Sequence, residues 1–89
     1  MKDETEEGTK TLSTLKAGQT AVIRAIVTAS AELKQRLLVL GLTEGREIQV
    51  FKVAPFGDPI SIRYLGCCLG LRRSEAAAIE VLPVQRQSI

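Results

Sequence analysis

Ala54-Pro55-Phe56-Gly57-Asp58-Pro59-Ile60-Ser61-Ile62-Arg63-Tyr64 is the stretch on which the fold turns. Proline fixes φ and lacks a backbone N–H, so neither Pro55 nor Pro59 fits inside a central strand. Gly57 supports a tight or left-handed turn, and Asp58 can hydrogen-bond back onto the local backbone. The residue before each proline is held extended, which keeps both flanks strand-like. Downstream, Ile60, Ile62 and Tyr64 alternate with Ser61 and Arg63, the period of a half-buried strand. Upstream, residues 46–53 (REIQVFKV) form another strand, with Ile48 and Val50 on one face and Phe51 and Val53 on the other. That switch of faces suggests a bend or bulge, as a small barrel requires. Segments 46–53 and 60–65 are therefore expected to pair as a hairpin, joined by a stiff loop with an aromatic ring at its tip.

The rest of the chain extends this pattern. Leu12 and Leu15 suit one apolar-faced turn, and Ala17-Gly18 reads as a connection. Residues 20–27 (TAVIRAIV) are β-branched and apolar apart from Arg24, which marks a strand. Thr28 or Ser30 can cap a helix that carries Leu33, Leu37 and Leu40 at helical spacing, with Lys34 and Arg36 facing water. Gly41 ends it, and Gly45 closes the following loop. After a turn at Gly66, Cys67, Leu69 and Leu71 alternate with Cys68, Gly70 and Arg72, which puts Cys67 on the inward face. Ser74 can cap a single helical turn through Ala78, and residues 79–84 make a last strand with Pro83 at an edge. The expected fold is mainly β: a small barrel of about five strands, with one short inserted α-helix and a one-turn helix before the last strand. Residues 11–84 form the domain, between an acidic disordered tail at 1–10 and a flexible tail at 85–89.

Composition narrows the functional classes. Apolar residues are 45% of the chain and aromatics 3%, so the core has to be aliphatic. Residues 1–10 hold four acids and two bases, and the remainder ten bases and six acids, so a body of +4 follows a tail of −2. The positive charges are scattered rather than gathered on one face, so no nucleic-acid partner is expected. No apolar run approaches the roughly 20 residues that span a bilayer. The N-terminus lacks the apolar segment of a signal peptide, and a cytoplasmic location is expected.

The chemical inventory excludes more than it offers. There is no histidine, which removes Ser-His and Cys-His nucleophile pairs. Glu44, Glu47 and Asp58 have nothing in their spacing to join two acids in a buried site, and Gly41 and Gly45 do not introduce a phosphate-binding Lys-Ser/Thr pair. No enzymatic activity and no cofactor are expected. Cys67 and Cys68 are adjacent, and neighbouring strand residues point to opposite faces, so they cannot readily share one tetrahedral ion. Cys67 reads as a small buried hydrophobe, while Cys68 is the reachable thiol and the one candidate metal or redox residue. Arg72-Arg73 invites a phosphate reading, against Arg72 simply facing solvent at a strand end. Phe56 is either folded back on the barrel or displayed to a partner.

Three blocks together resemble one family. They are Arg36-Leu37-Leu38-Val39-Leu40-Gly41-Leu42-Thr43-Glu44-Gly45, the Pro55-Phe56-Gly57-Asp58-Pro59 loop, and Leu71-Arg72 ahead of Glu75-Ala76, Ile79 and Val81. The order is similar to that of the ferrous iron transport protein A (FeoA) family over residues 11–83, and Leu12, Leu15, Lys16 and Gly18 resemble the family's opening. The resemblance implies an SH3-like cytosolic barrel that accompanies the ferrous iron permease (FeoB), whose cytosolic part is a GTPase domain. It would reach the membrane only through that partner. Cys67-Cys68 departs from what family members often carry. The leading expectation is a non-enzymatic accessory protein docking through Pro55, Phe56, Gly57, Asp58 and Pro59, with Arg72 beside them. The alternative is a metal- or redox-responsive sensor using Cys68, related to the barrel of metal-dependent repressors.

Overall fold

A computed structural model describes residues 8–84. Six strands form one antiparallel sheet: β1 (Lys10–Thr11), β2 (Thr20–Ile26), β3 (Glu47–Val53), β4 (Ile60–Tyr64), β5 (Cys67–Leu71) and β6 (Ile79–Val84). Their order in space is β1-β6-β2-β3-β4-β5. Helix α1 (Ala31–Val39) joins β2 to β3, and the single turn α2 (Arg73–Ala76) joins β5 to β6. The architecture is the expected mainly-β one, with the hairpin of β3 and β4 in place. A further strand enters because Lys10 and Thr11 pair with Val81 and Glu80, so Lys10 belongs to the sheet. Gly8 and Thr9 of the expected tail are also described, and residues 1–7 and 85–89 lie outside the described residues.

Alternation delivers the core. Ala21 and Ile23 of β2, Ile48 and Val50 of β3, Ile60 and Ile62 of β4, Leu71 of β5, and Ile79 and Val81 of β6 form one buried cluster with Leu12, Leu15, Leu37, Leu42 and Ala76. Five strands can share one small interior only if the sheet curls, and two register shifts permit this. One falls between Ile23 and Ala25 of β2, and the other between Val50 and Lys52 of β3, where the sequence suggested it. Pro83 is not on an edge strand as expected, since β6 lies between β1 and β2. However, β1 reaches only Glu80 and Val81, so β6 has β2 alone beside Pro83 and the missing N–H breaks no ladder.

Helix α1 is capped at both ends. The Ser30 hydroxyl accepts from the Leu33 N–H at 3.1 Å. Gly41, at φ 92, lets the Leu42 N–H reach the Leu37 carbonyl at 3.1 Å and its own N–H reach Leu38 at 2.9 Å, a Schellman ending. The next two carbonyls accept from side chains outside the helix. The Tyr64 hydroxyl donates to the Leu40 carbonyl at 2.6 Å, and Arg46 Nε donates to the Gly41 carbonyl at 2.9 Å. Leu40 was expected on the buried face. It is the exposed C-cap instead, because the reversal at Gly41 hands its core position to Leu42.

The β5 alternation holds, yet Cys67 is exposed together with Cys68. Cys67 pairs with Tyr64 at the far end of the β4–β5 ladder, past the last core residue, whereas Leu71 at the other end is buried. The expected cap at Ser74 also shifts. Arg72 is the N-cap, and its N–H donates to Glu75 Oε1 at 2.9 Å, so α2 begins earlier.

Gly41→Ala should destabilise the protein by about 1–2 kcal/mol, because a side chain at that φ is strained. An added Cβ would stand 3.6 Å from Tyr64 Cε2, an ordinary contact, so the cost is one of backbone conformation. Urea unfolding of the variant measures it, and an effect near zero contradicts the Schellman ending. Tyr64 carries a pH dependence. Burial raises its phenol above 10.0, the Cys67 charge adds to this, and Arg46 opposes it. The folded state thus holds the proton longer than the unfolded state. The contribution to stability is complete below about pH 10 and is lost as pH rises through the folded value. Tyr64→Phe should cost about 1 kcal/mol at neutral pH by deleting the bond to Leu40. It should also flatten the alkaline part of the stability curve, which urea titrations on either side of the phenol transition detect.

Candidate functional site

The loop from β3 to β4 is built by its own backbone. The Gly57 N–H donates to the Ala54 carbonyl at 2.7 Å, and the Ala54 N–H donates to the Pro59 carbonyl at 3.1 Å, closing the loop across its base. Gly57 takes φ 82, which a side chain would resist, and the Asp58-Pro59 peptide is cis. Phe56 is thereby lifted to the tip with 92% of its surface exposed and is not folded back on the barrel.

Asp58 fixes the loop to the rest of the molecule. Its Oδ1 accepts from the Arg73 N–H at 3.1 Å, supplying an acceptor to the first turn of α2, whose early N–H groups have no partner within the helix. The Arg73 side chain runs along the same loop, with Nη1 3.5 Å from where a Cβ on Gly57 would stand. The structure therefore brings Pro55, Phe56, Gly57, Asp58 and Pro59 together with the Arg72-Arg73 pair. The flanking guanidinium is that of Arg73, whereas Arg72 was the arginine expected beside the loop. Arg72 is exposed at the helix N-cap next to it.

Glu75 extends this connection. Besides accepting from the Arg72 N–H, its carboxylate pairs with Arg36 of α1, which expectation had left facing water. Loop, α2 and α1 are thus joined by charged groups at the surface, in addition to the core contacts of Leu37 and Ala76. Such exposed bonds fix orientation more than they stabilise, since surface ion pairs contribute roughly 0–1 kcal/mol. Chemically, the site offers an aromatic ring, two prolines and two guanidinium groups. It can hold an apolar or acidic surface, but it presents no nucleophile with a base.

Cys68 is not part of this site. It pairs with Arg63, whereas the loop end of the same ladder is Ile60 with Leu71. Among the described residues no group of three or more His, Cys, Asp or Glu could hold a metal ion. Across the sheet, the Arg63 guanidinium lies 4.8 Å from the Phe51 ring centroid, a stacking that the sequence reading missed. Phe51 lies at the β3 register shift, one step along the same face from the Gln49↔Arg63 pair, and it is the β3–β4 register that makes the two residues neighbours. No helix of the described residues is long and apolar enough to cross a membrane.

Comparison with known proteins gives this geometry a context. The chain is 39% identical over 70 residues to an Fe(2+) transport protein A/Fe(2+) transporter FeoB fusion protein of Porphyromonas gingivalis, covering 79% of this chain and 8% of that protein. The chain thus spans a small part of that relative's length. The crystal structure of Stenotrophomonas maltophilia FeoA complexed with zinc, described as a procaryotic SH3 domain protein, is 29% identical with a TM-score of 0.72. That match covers 81% of this chain and 88% of the other. A manganese-dependent transcriptional repressor in complex with manganese shares the fold alone, at 21% identity and a TM-score of 0.80 over 85% of this chain and 37% of its own. The family model for the FeoA domain matches residues 10–83, and with the SH3-like sheet and the three sequence blocks in place the chain belongs to the FeoA family of ferrous iron transport.

Proposed function

We propose that this chain is a non-enzymatic cytosolic accessory of ferrous iron uptake that docks on the iron permease or its GTPase domain through the Pro55–Pro59 loop with Arg72 and Arg73. The observation that carries this reading is Phe56, an almost fully exposed aromatic side chain on a loop whose base, tip and flank are all hydrogen-bonded into place. Exposing a ring in this way forgoes the roughly 1.5–3 kcal/mol of burying it, and holding it rigid removes the entropy cost of ordering it on contact. Fusion of the family's domain to the FeoB transporter in the Porphyromonas protein supports the choice of partner, since two domains on one chain meet at high effective concentration. Iron is the cargo of that system and needs no resident site here.

Phe56→Ala should weaken binding to the permease's cytosolic part about tenfold or more, as expected of a central aromatic anchor, and leave thermal stability unchanged. Calorimetric titration and a melting curve on the same samples decide it; intact binding with a fall in Tm refutes the assignment. Asp58→Ala should do both things moderately. It frees the Arg73 N–H, costing about 1 kcal/mol of stability, and it loosens the loop so that binding falls without loss of a direct contact.

A metal- or redox-responsive sensor is the second reading, favoured by the exposure of both thiols and the repressor-like barrel. Anaerobic Fe(II) or Zn(II) titration separates the two. Stoichiometric binding lost in Cys68→Ser supports the sensor, and absence of binding leaves the accessory role standing.

A further inference from the structure

Strand β5 ends the sheet beyond β4, and it lacks the features that defend an edge. Its residues Cys67-Cys68-Leu69-Gly70-Leu71 carry no charge and no proline, and they pair with β4 in unbroken register from Tyr64↔Cys67 to Ile60↔Leu71. Edge strands are ordinarily blunted by lysine, proline, a bulge or a covering loop. The turn reveals which backbone groups are free. Leu65 (φ 51) and Gly66 (φ 76) are both left-handed, the type I′ connection of a two-residue hairpin. Tyr64 and Cys67 therefore form a hydrogen-bonded pair, as do Ile62 with Leu69 and Ile60 with Leu71. The N–H and C=O groups of Cys68 and Gly70 point the other way, to the open edge, and have no backbone partner there among the described residues.

Gly70 is a second, independent observation. A glycine inside a strand weakens it, and usually marks a bulge, a sharp bend or the close approach of another backbone. The register is regular at Gly70, its φ is outside the left-handed region, and a Cβ there would meet nothing within 4 Å. Nothing in the isolated chain requires glycine at this position. The close approach of another backbone accounts for a glycine with regular register, ordinary φ and open space beside it.

We infer that two copies of this chain pair edge to edge through β5, antiparallel and centred on Leu69. Only that centre joins the outward groups of Cys68 to those of the partner subunit's Gly70, and the reverse. The strand is complementary to itself in this register. The Cys68 side chain lies opposite a bare glycine, Leu69 lies opposite its own mate, and no like charges face each other. The same register sets the Leu65-Gly66 turn of each copy beside the Arg72-Arg73 corner of the other. That covers part of Leu65, which is 70% exposed in the single chain and occupies a backbone conformation that disfavours leucine. The contact is isologous and closes at two copies. A ladder of this length buries less than the roughly 1,200 Å² of a standard interface, so the dimer forms with rising concentration rather than permanently. The pairing involves no covalent bond, and it does not depend on the docking role of the loop.

Sedimentation velocity under reducing conditions, on the full chain up to about 1 mM, should show a reversible monomer–dimer equilibrium. Gly70→Lys installs the missing edge charge where a side chain meets nothing, so Tm should hold or rise. Its dimer dissociation constant should increase about tenfold or more. The register has its own test, because the centred pair is a non-hydrogen-bonded one with Cα atoms about 4.5 Å apart, within disulfide range. Leu69→Cys in a Cys67→Ser/Cys68→Ser background, treated with glutathione disulfide, should cross-link. Two protein thiols are oxidised to one interchain disulfide, and glutathione disulfide is reduced to two glutathione thiols. This should run much faster than for Ser74→Cys in the same background. A chain that stays monomeric throughout, a dimer indifferent to Gly70→Lys, or equal cross-linking at the two positions each overturns the inference.

Discussion

The aliphatic residues of five strands share one interior, and the sheet must curl for them to meet. Curling is achieved where β2 and β3 each slip register, around Arg24 and Phe51, whose side chains face outward. Among the described residues no polar or charged side chain is buried. The core therefore has no hydrogen-bonded polar group to specify its register, and specificity has to come from turns and caps. The Gly41 reversal, the Leu65-Gly66 turn and the closed base of the Pro55–Pro59 loop supply it. Phe51, Phe56 and Tyr64 all lie outside the buried core, so the aromatic groups are left for surface work. One stacks under Arg63, one is displayed, and one caps a helix through its hydroxyl.

Much of this was legible because it is local. Proline and glycine around Phe56 define a loop with their own backbone preferences, and Gly41 does the same for the helix end. The face switch between Val50 and Phe51 showed as a break in alternation, and the bulge was found there. What failed was long-range. Cys67 has the right parity for the core but sits where the β4–β5 ladder outruns it, and ladder length relative to the interior is not a property of the strand's sequence. Leu40 has the right spacing for the helix, but Gly41 turns the chain before that spacing can be used. Lys10 is polar like the residues before it, and pairs with Val81 only because β6 returns alongside.

The candidate site was half legible for the same reason. The loop could be read from its own residues, whereas Arg73 became its neighbour through an Asp58 contact spanning fifteen positions. Arg72 and Arg73 are indistinguishable in composition. Helix geometry separates them: the N-cap residue gives its N–H to Glu75, and the next residue gives its N–H to the loop. A two-residue basic signal thus divides into one exposed arginine at the helix N-cap and one whose N–H also positions the loop.

The loop end and the open edge of the β4–β5 hairpin pose opposite physical problems. At the loop end, backbone and carboxylate bonds leave a single aromatic residue exposed on a rigid mount, an arrangement suited to a tight, directional contact. Along the β5 edge, at Cys68 and Gly70, the backbone itself is exposed, and its hydrogen-bonding groups recognise any strand in register rather than one particular side chain. An edge of that kind is selective only if its side chains limit what can approach. In β5, a glycine placed opposite a cysteine makes the strand a better match for itself than for a bulkier sequence, which restricts an otherwise permissive surface to a like partner.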